Sequence, residues 1–227
     1  MELRSLDHVA LWTDERDALA AFLLDGTSMH EIERTDAFSL LGSDARRGKL
    51  TLFDADGPRE RGALESVVLR VPDLDAAVRR FGDAAEVTMS DDGVASFQAP
   101  GGLRMGLVEV PFGLDSDLDH VVLRVPDPAT TLEALADLGF ERRDGVVAVE
   151  DKVIRLVGGG REEGERPLLN HIAVLVDSAA QVQDEAQRRG WDVAEVKDAA
   201  NTLAVFVWGP DRIKVEYVEH KPGFALQ

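Results

Sequence analysis

The 227-residue chain carries 25 Lys and Arg against 43 Asp and Glu, a formal net charge of -18. Nucleic acid and anionic membranes are therefore poor partners, because phosphate binding needs a basic face that this sequence nowhere assembles. The absence of cysteine excludes disulfides, zinc-thiolate sites and a thiol nucleophile, which leaves His, Asp and Glu as the available metal ligands. With 44% hydrophobic and 30% charged residues, no basic and apolar leader and no apolar run of membrane-spanning length, the chain is expected to be a globular cytoplasmic protein.

Taken in order, the chain repeats itself. Leu6-Asp-His-Val-Ala-Leu-Trp12, Leu64-Glu-Ser-Val-Val-Leu-Arg70, Leu118-Asp-His-Val-Val-Leu-Arg124 and Leu169-Asn-His-Ile-Ala-Val-Leu175 are four versions of one strand. Their third positions are His8, Ser66, His120 and His171, at intervals of 58, 54 and 51 residues, a spacing that marks an internal repeat. An amphipathic run follows each strand, beginning at Thr13, Pro72, Pro126 and Asp177. Asp or Ser at the start and apolar residues three to four apart predict a helix of about three turns in each. Each repeat then closes with short strands joined by polar, Gly-containing turns, such as Asp144-Gly145, so the unit reads βαβββ. Linkers are expected at Asp54 to Gly62, Val110 to Asp117 and Gly158 to Arg166.

The last closing strand, Lys214-Val-Glu216-Tyr-Val218, sets a carboxylate inside an apolar run. By period-2 alternation, Ile213, Val215 and Tyr217 face one side, toward a helix, and Glu216 faces the other. An unpaired carboxylate inside a fold is costly, and a metal ion is a common remedy. His120 and His171 supply matching ligands on strands, and two histidines with one carboxylate make a facial triad. Aligning the closing strands on Glu216 gives Thr51, Gly106 and Arg155 in the first three repeats.

Four βαβββ modules with ligand positions on each leading and closing strand resemble the vicinal oxygen chelate superfamily, which includes glyoxalase I, bleomycin-resistance proteins and the type I extradiol dioxygenases. The resemblance covers nearly the whole chain. It implies an α+β fold of four modules paired into two open-barrel halves, with a vestigial N-terminal pair over residues 1–113 and a C-terminal pair over 114–227 holding the metal site. On that division the first half offers His8, Thr51, Ser66 and Gly106, a poor metal site in which His8 is structural. The second offers His120, Arg155, His171 and Glu216. Glyoxalase-type members fill all four positions with ligands, but an Arg cannot coordinate. The pattern of His120, His171 and Glu216 instead resembles the extradiol dioxygenases and implies Fe(II), with Mn(II) or Zn(II) as alternatives, acting on a small diol or catechol-like substrate together with dioxygen.

Two departures bear on ring cleavage. That family's closing signature has a Tyr and a Gly where this chain has Phe206 and Arg212, and Lys197 replaces a His nine residues before Phe206. By alternation Arg155 points toward the cavity, where it would receive an anionic substrate group or pair with Glu216; the alternative is an Arg that leaves the barrel mouth for solvent. Phe206 and Trp208 are candidate walls of an apolar pocket, Tyr217 is expected in the core, and His30 and His220 are expected at the surface. The competing readings are a glyoxalase-like lyase or isomerase and a non-enzymatic small-molecule binding protein of the bleomycin-resistance kind. Self-association into a homo-oligomer stays open.

Overall fold

The computed structural model describes residues 1–160 and 166–226. The first module comprises β1 (Leu3–Thr13), α1 (Arg16–Gly26), β2 (His30–Arg34), β3 (Phe38–Gly42) and β4 (Lys49–Asp54). The second comprises β5 (Leu64–Val71), α2 (Leu74–Phe81), β6 (Thr88–Met89), β7 (Ala95–Gln98) and β8 (Arg104–Glu109). In the third are β9 (Asp117–Val125), α3 (Pro128–Asp137), β10 (Glu141–Arg143), β11 (Val146–Val149) and β12 (Lys152–Gly158). The fourth holds β13 (Leu169–Val176), α4 (Ala179–Arg189), β14 (Asp192–Asp198), β15 (Thr202–Trp208) and β16 (Lys214–His220). The fourfold βαβββ pattern is thus present. Part of the expected linker from Gly158 to Arg166 lies outside the described residues.

Local chemistry accounts for the helices. Asp73, Asp127 and Ser178 each cap a helix by accepting a backbone N–H, as Asp73 does from Ala76 at 2.8 Å. At the start of α1, Thr13 Oγ1 accepts the N–H of Glu15 at 3.0 Å instead. No helix among the described residues is long and apolar enough to cross a membrane.

The pairing of modules differs from the expected division at residue 113. One eight-stranded sheet has the order β14-β15-β16-β13-β1-β4-β3-β2, and the other β10-β11-β12-β9-β5-β8-β7-β6. The first module therefore pairs with the fourth, through antiparallel β1 and β13, and the second with the third, through β5 and β9. The physical reason is that all four leading strands are interchangeable in outline. Each offers a buried, hydrogen-bonding edge, and the repeat itself does not say which two edges meet. The two linkers that cross between sheets run together, with Leu168 N–H donating to Glu60 O at 2.6 Å and Glu60 N–H to Arg166 O at 3.1 Å.

Apolar side chains of both sheets and of the helices form one continuous core. Phe81 of α2 packs on Phe22 of α1 with ring centroids 5.0 Å apart. The Tyr217 hydroxyl, wholly buried, donates to Leu138 O at 2.6 Å and ties the fourth module to the third. Tyr217 therefore has the core role expected of it, and burial pushes its phenol pKa up.

A buried charge cluster ties three neighbouring strands of the second sheet, β12, β9 and β5, together. Asp117 accepts from Arg70 at 2.6 and 3.1 Å and from Lys152 at 2.7 Å, all three residues being buried. Gly48, with φ of +66°, passes so close that a Cβ there would stand 1.6 Å from Asp117 Oδ1. Replacing Asp117 by Ala would leave the buried Lys152 ammonium without its carboxylate and Arg70 with Asp151 alone, so the Asp117→Ala protein should lose about 3–5 kcal/mol of stability. Its urea midpoint should fall accordingly, whereas Asp177→Ala, which breaks only an exposed pair with Arg4, should shift it little.

Candidate metal centre

Pairing the first and fourth modules brings His8, Thr51, His171 and Glu216 together around two small residues. Ala10 lies between His171 and Thr51 in the strand register, and Ala173 lies between His8 and Glu216. Both alanines are wholly buried and form a floor low enough for the four longer side chains to lean over it. His171 Nε2 is 2.7 Å and His8 Nε2 3.2 Å from Glu216 Oε2, and the two Nε2 atoms are 3.0 Å apart. Three ligand atoms from these residues lie within 4.8 Å of one another, the one group of this kind among the described residues.

A backbone irregularity at each leading strand aims the imidazoles. In the β1–β13 ladder the register skips Asp7 on one strand and Asn170 on the other, so each residue preceding a histidine is the extra residue of a β-bulge, a device that redirects side chains next to functional sites. Asp7 Oδ1 thereby reaches His8 Nδ1 at 2.7 Å, and Asn170 Oδ1 reaches His171 Nδ1 at 3.1 Å. Each acceptor holds the proton on Nδ1 and leaves Nε2 as the lone-pair face.

Asp7 is the hub behind this arrangement. Buried, it also accepts from Lys49 Nζ at 3.1 Å and lies 3.0 Å from His220 Nε2. Burial would raise its pKa, but Lys49, His220 and His8 outweigh that and hold it well below the usual carboxylate range. Burial opposes charge on His8 too, yet Glu216 and Asp7 together raise it to about 9. At His171 burial prevails and lowers the pKa. Glu216 is held below the normal range against its burial by His8 and His171.

The donor set fits a divalent cation. Two Nε2 atoms and a carboxylate converge on one point where, without a cation, they repel unless a ring takes up a second proton. The fourth position carries Thr51, whose buried Oγ1 has no hydrogen-bonding partner, an orphaned polar atom facing the same place.

The expected site residues thus divide. His171 and Glu216 come together as expected, whereas His120 and Arg155 lie in the other sheet. His8 occupies the place assigned to His120, beside His171 and Glu216. In the second and third modules the four equivalent positions are Ser66, Gly106, His120 and Arg155, over a floor of Val68 and Val122. Val94 fills the space beside Gly106, where a Cβ would stand 2.7 Å from its Cγ1. His120 is buried with Nδ1 on Asp119 at 2.5 Å. Arg155 turns outward toward Asp92 at 3.7 Å, with its side chain 47% exposed.

A cavity of about 320 Å³ opens over the cluster in the first sheet. Phe38, Phe53 and Phe206 wall the donor end, with Phe206 edge-on to His171 at 5.2 Å between centroids. Trp208 does not reach this wall and instead lies under Arg212 and Lys214. His220 also lines the cavity, stacked on Phe224 at 4.2 Å, and is not the surface residue expected from sequence; His30 is exposed. Asp7 and Lys49 went unnoticed in the sequence, while Thr51 was assigned to a poor metal site and His220 to the surface. Asp7 alone had a visible signal, since an acidic or amide residue precedes every histidine of the repeat.

No protein-family model matches the chain, and no curated protein matches it either. Solved structures do. The "putative dioxygenase" of Bacillus subtilis superposes with a TM-score of 0.81 at 19% identity, covering 99% of this chain and 87% of its own. Glyoxalase I of Zea mays gives 0.76 at 16% identity, covering 95% and 92%. The cppA protein of Streptococcus pneumoniae gives 0.66 at 12% identity, covering 96% and 98%. At these identities the likeness is one of fold.

Proposed function

We propose that His8, His171 and Glu216 hold one divalent metal and that the chain is a metal-dependent enzyme acting on a small molecule with adjacent oxygens, in the manner of an extradiol dioxygenase. The carrying observation is the convergence of two Nε2 atoms and a carboxylate whose outer imidazole nitrogens are already engaged by Asp7 and Asn170. Two imidazoles and one carboxylate suit Fe(II) or Mn(II), with Zn(II) as the alternative. A metal bound there would acidify a coordinated hydroxyl and leave positions for a chelating substrate and dioxygen.

The chain's own residues supply the rest. Asp7 and Asn170 fix the ligand tautomers, the Phe38, Phe53 and Phe206 rings favour a flat apolar substrate body and exclude water, and Lys49 balances the charge of Asp7. Thr51 in place of a fourth ligand supports the three-ligand reading. A lyase or isomerase of glyoxalase type would need a carboxylate free to move a proton beside the substrate. Asp7 is fully engaged, and Glu33 is the other carboxylate lining the cavity besides Glu216; it is the candidate base for that second reading.

Metal content after loading and desalting separates the candidate ligand sets. His8→Ala, His171→Ala and Glu216→Ala should each lose most of the bound metal, and His120→Ala should retain it; the reverse outcome for His8 and His120 would place the centre in the other sheet. Asp7→Asn keeps the shape but removes the charge behind His8, and its metal affinity should fall about 10–100-fold. With Fe(II) verified in place, an oxygen electrode should record dioxygen uptake across a panel of catechols. A flat trace over the whole panel would turn the assignment to a lyase or isomerase, with Glu33→Gln as its diagnostic variant.

A further inference from the structure

The metal centre accounts for one end of the cavity only, and the other end has its own chemistry. His220 lies four residues beyond Glu216 on the same face of β16, so the cavity extends about 13 Å along the strand from the donor cluster. Here the aromatic walls give way to polar groups. Thr202 stands opposite His220 in the register, and Lys197, Ala204 and Val218 form a row across β14, β15 and β16 on the cavity side.

The charges at this end are unequal in their engagement. Lys49 is bound to Asp7 and Ala45 O, Lys221 to Asp198, and Arg46 lies over the Phe224 ring at 5.1 Å. Glu195, two residues before Lys197, interacts with Lys214. Glu33 lies across from Leu40, which pairs with Thr51, and so belongs to the donor end. Lys197 alone lines the cavity as a cation with no ion pair among the described residues. In a chain of net charge -18, an unneutralised ammonium at the mouth of an apolar cavity is a recognition element for an anion.

We infer that the substrate carries a carboxylate or similar anion on an arm remote from its metal-binding oxygens, and that Lys197, with the Thr202 hydroxyl, receives it. This rests on the reading of the metal centre above, which decides the end of the substrate that enters first. A substrate with a single ring and a short arm spans the distance from the donor cluster to Lys197. The charge-assisted hydrogen bond to an ammonium then selects it over a neutral molecule of equal shape.

The test uses the full chain loaded with Mn(II) under anaerobic conditions and two probes of matched shape, 3-(3,4-dihydroxyphenyl)propionate and 4-propylcatechol, titrated calorimetrically. The saturated arm insulates the diol, so its chelating strength is the same in both. The acid should bind about tenfold more tightly than the neutral probe. Lys197→Met should abolish that preference and leave 4-propylcatechol unchanged, while Lys197→Arg should keep most of it. Equal binding of the two probes by the parent, or a preference that survives in Lys197→Met, would overturn the inference while leaving the metal centre intact. If neither diol binds with the metal verified in place, the diol reading fails by itself. The inference is then decided by 3-phenylpropionate against 3-phenylpropanol: a preference for the acid that Lys197→Met removes upholds it, and no preference overturns it.

Discussion

The antiparallel pairing of β1 with β13 is the contact on which the candidate site depends. It sets His8 and His171 on one concave face, and it brings their closing strands β4 and β16 to its two flanks. To the donor cluster the first module gives one imidazole and the fourth one imidazole and one carboxylate. The three donors therefore assemble at the seam between two modules and not within one repeat. The seam is also where the bulges fall. A regular ladder would turn Asp7 and Asn170 to the helix side, and both histidines would lose the acceptor that fixes their tautomer.

The second seam, between β5 and β9, has the same geometry and a different fate. Valines at positions 68 and 122 raise its floor, Val94 occupies the room above Gly106, and Arg155 has left for solvent. His120 still hydrogen-bonds to Asp119 as His8 does to Asp7. With no second imidazole and no glutamate across the strand, one histidine has nothing to converge with. The same backbone architecture thus supports a donor cluster in one place and none in the other, and the side chains at the four ligand positions and the two floor positions separate them.

Much of this was legible before any coordinates. The repeat, the βαβββ unit, the third-position rule for the histidines and the isolated carboxylate at Glu216 all follow from periodicity and spacing, because a strand's alternation is local. The partner of each module is not local. Pairing of whole modules depends on which buried edges meet, and the repeat makes those edges alike. A trace of it is nevertheless present: Asp-His-Val-Ala and Asn-His-Ile-Ala carry alanine two residues after the histidine, whereas Glu-Ser-Val-Val and Asp-His-Val-Val carry valine. The two alanines form the floor of one seam and the two valines that of the other, so this difference goes with the pairing of the first module with the fourth and the second with the third. His220 was illegible for another reason. Its burial depends on the segment through Phe224 folding back onto it, a contact with no periodic signature.

Burying Glu216 beside two imidazoles poses a problem of charge that the surroundings solve twice. Glu216 is buried, and an isolated carboxylate there would be neutralised by protonation rather than tolerated. Without a metal, the neighbouring His8 takes the proton, held on the ring to a pKa of about 9 by Glu216 and Asp7 against its own desolvation. With Nδ1 on Asp7, a proton on the other ring nitrogen of His8 would face His171 and Glu216. A divalent ion bound by these three residues would take the place of that proton, with Lys49 still balancing the charge of Asp7.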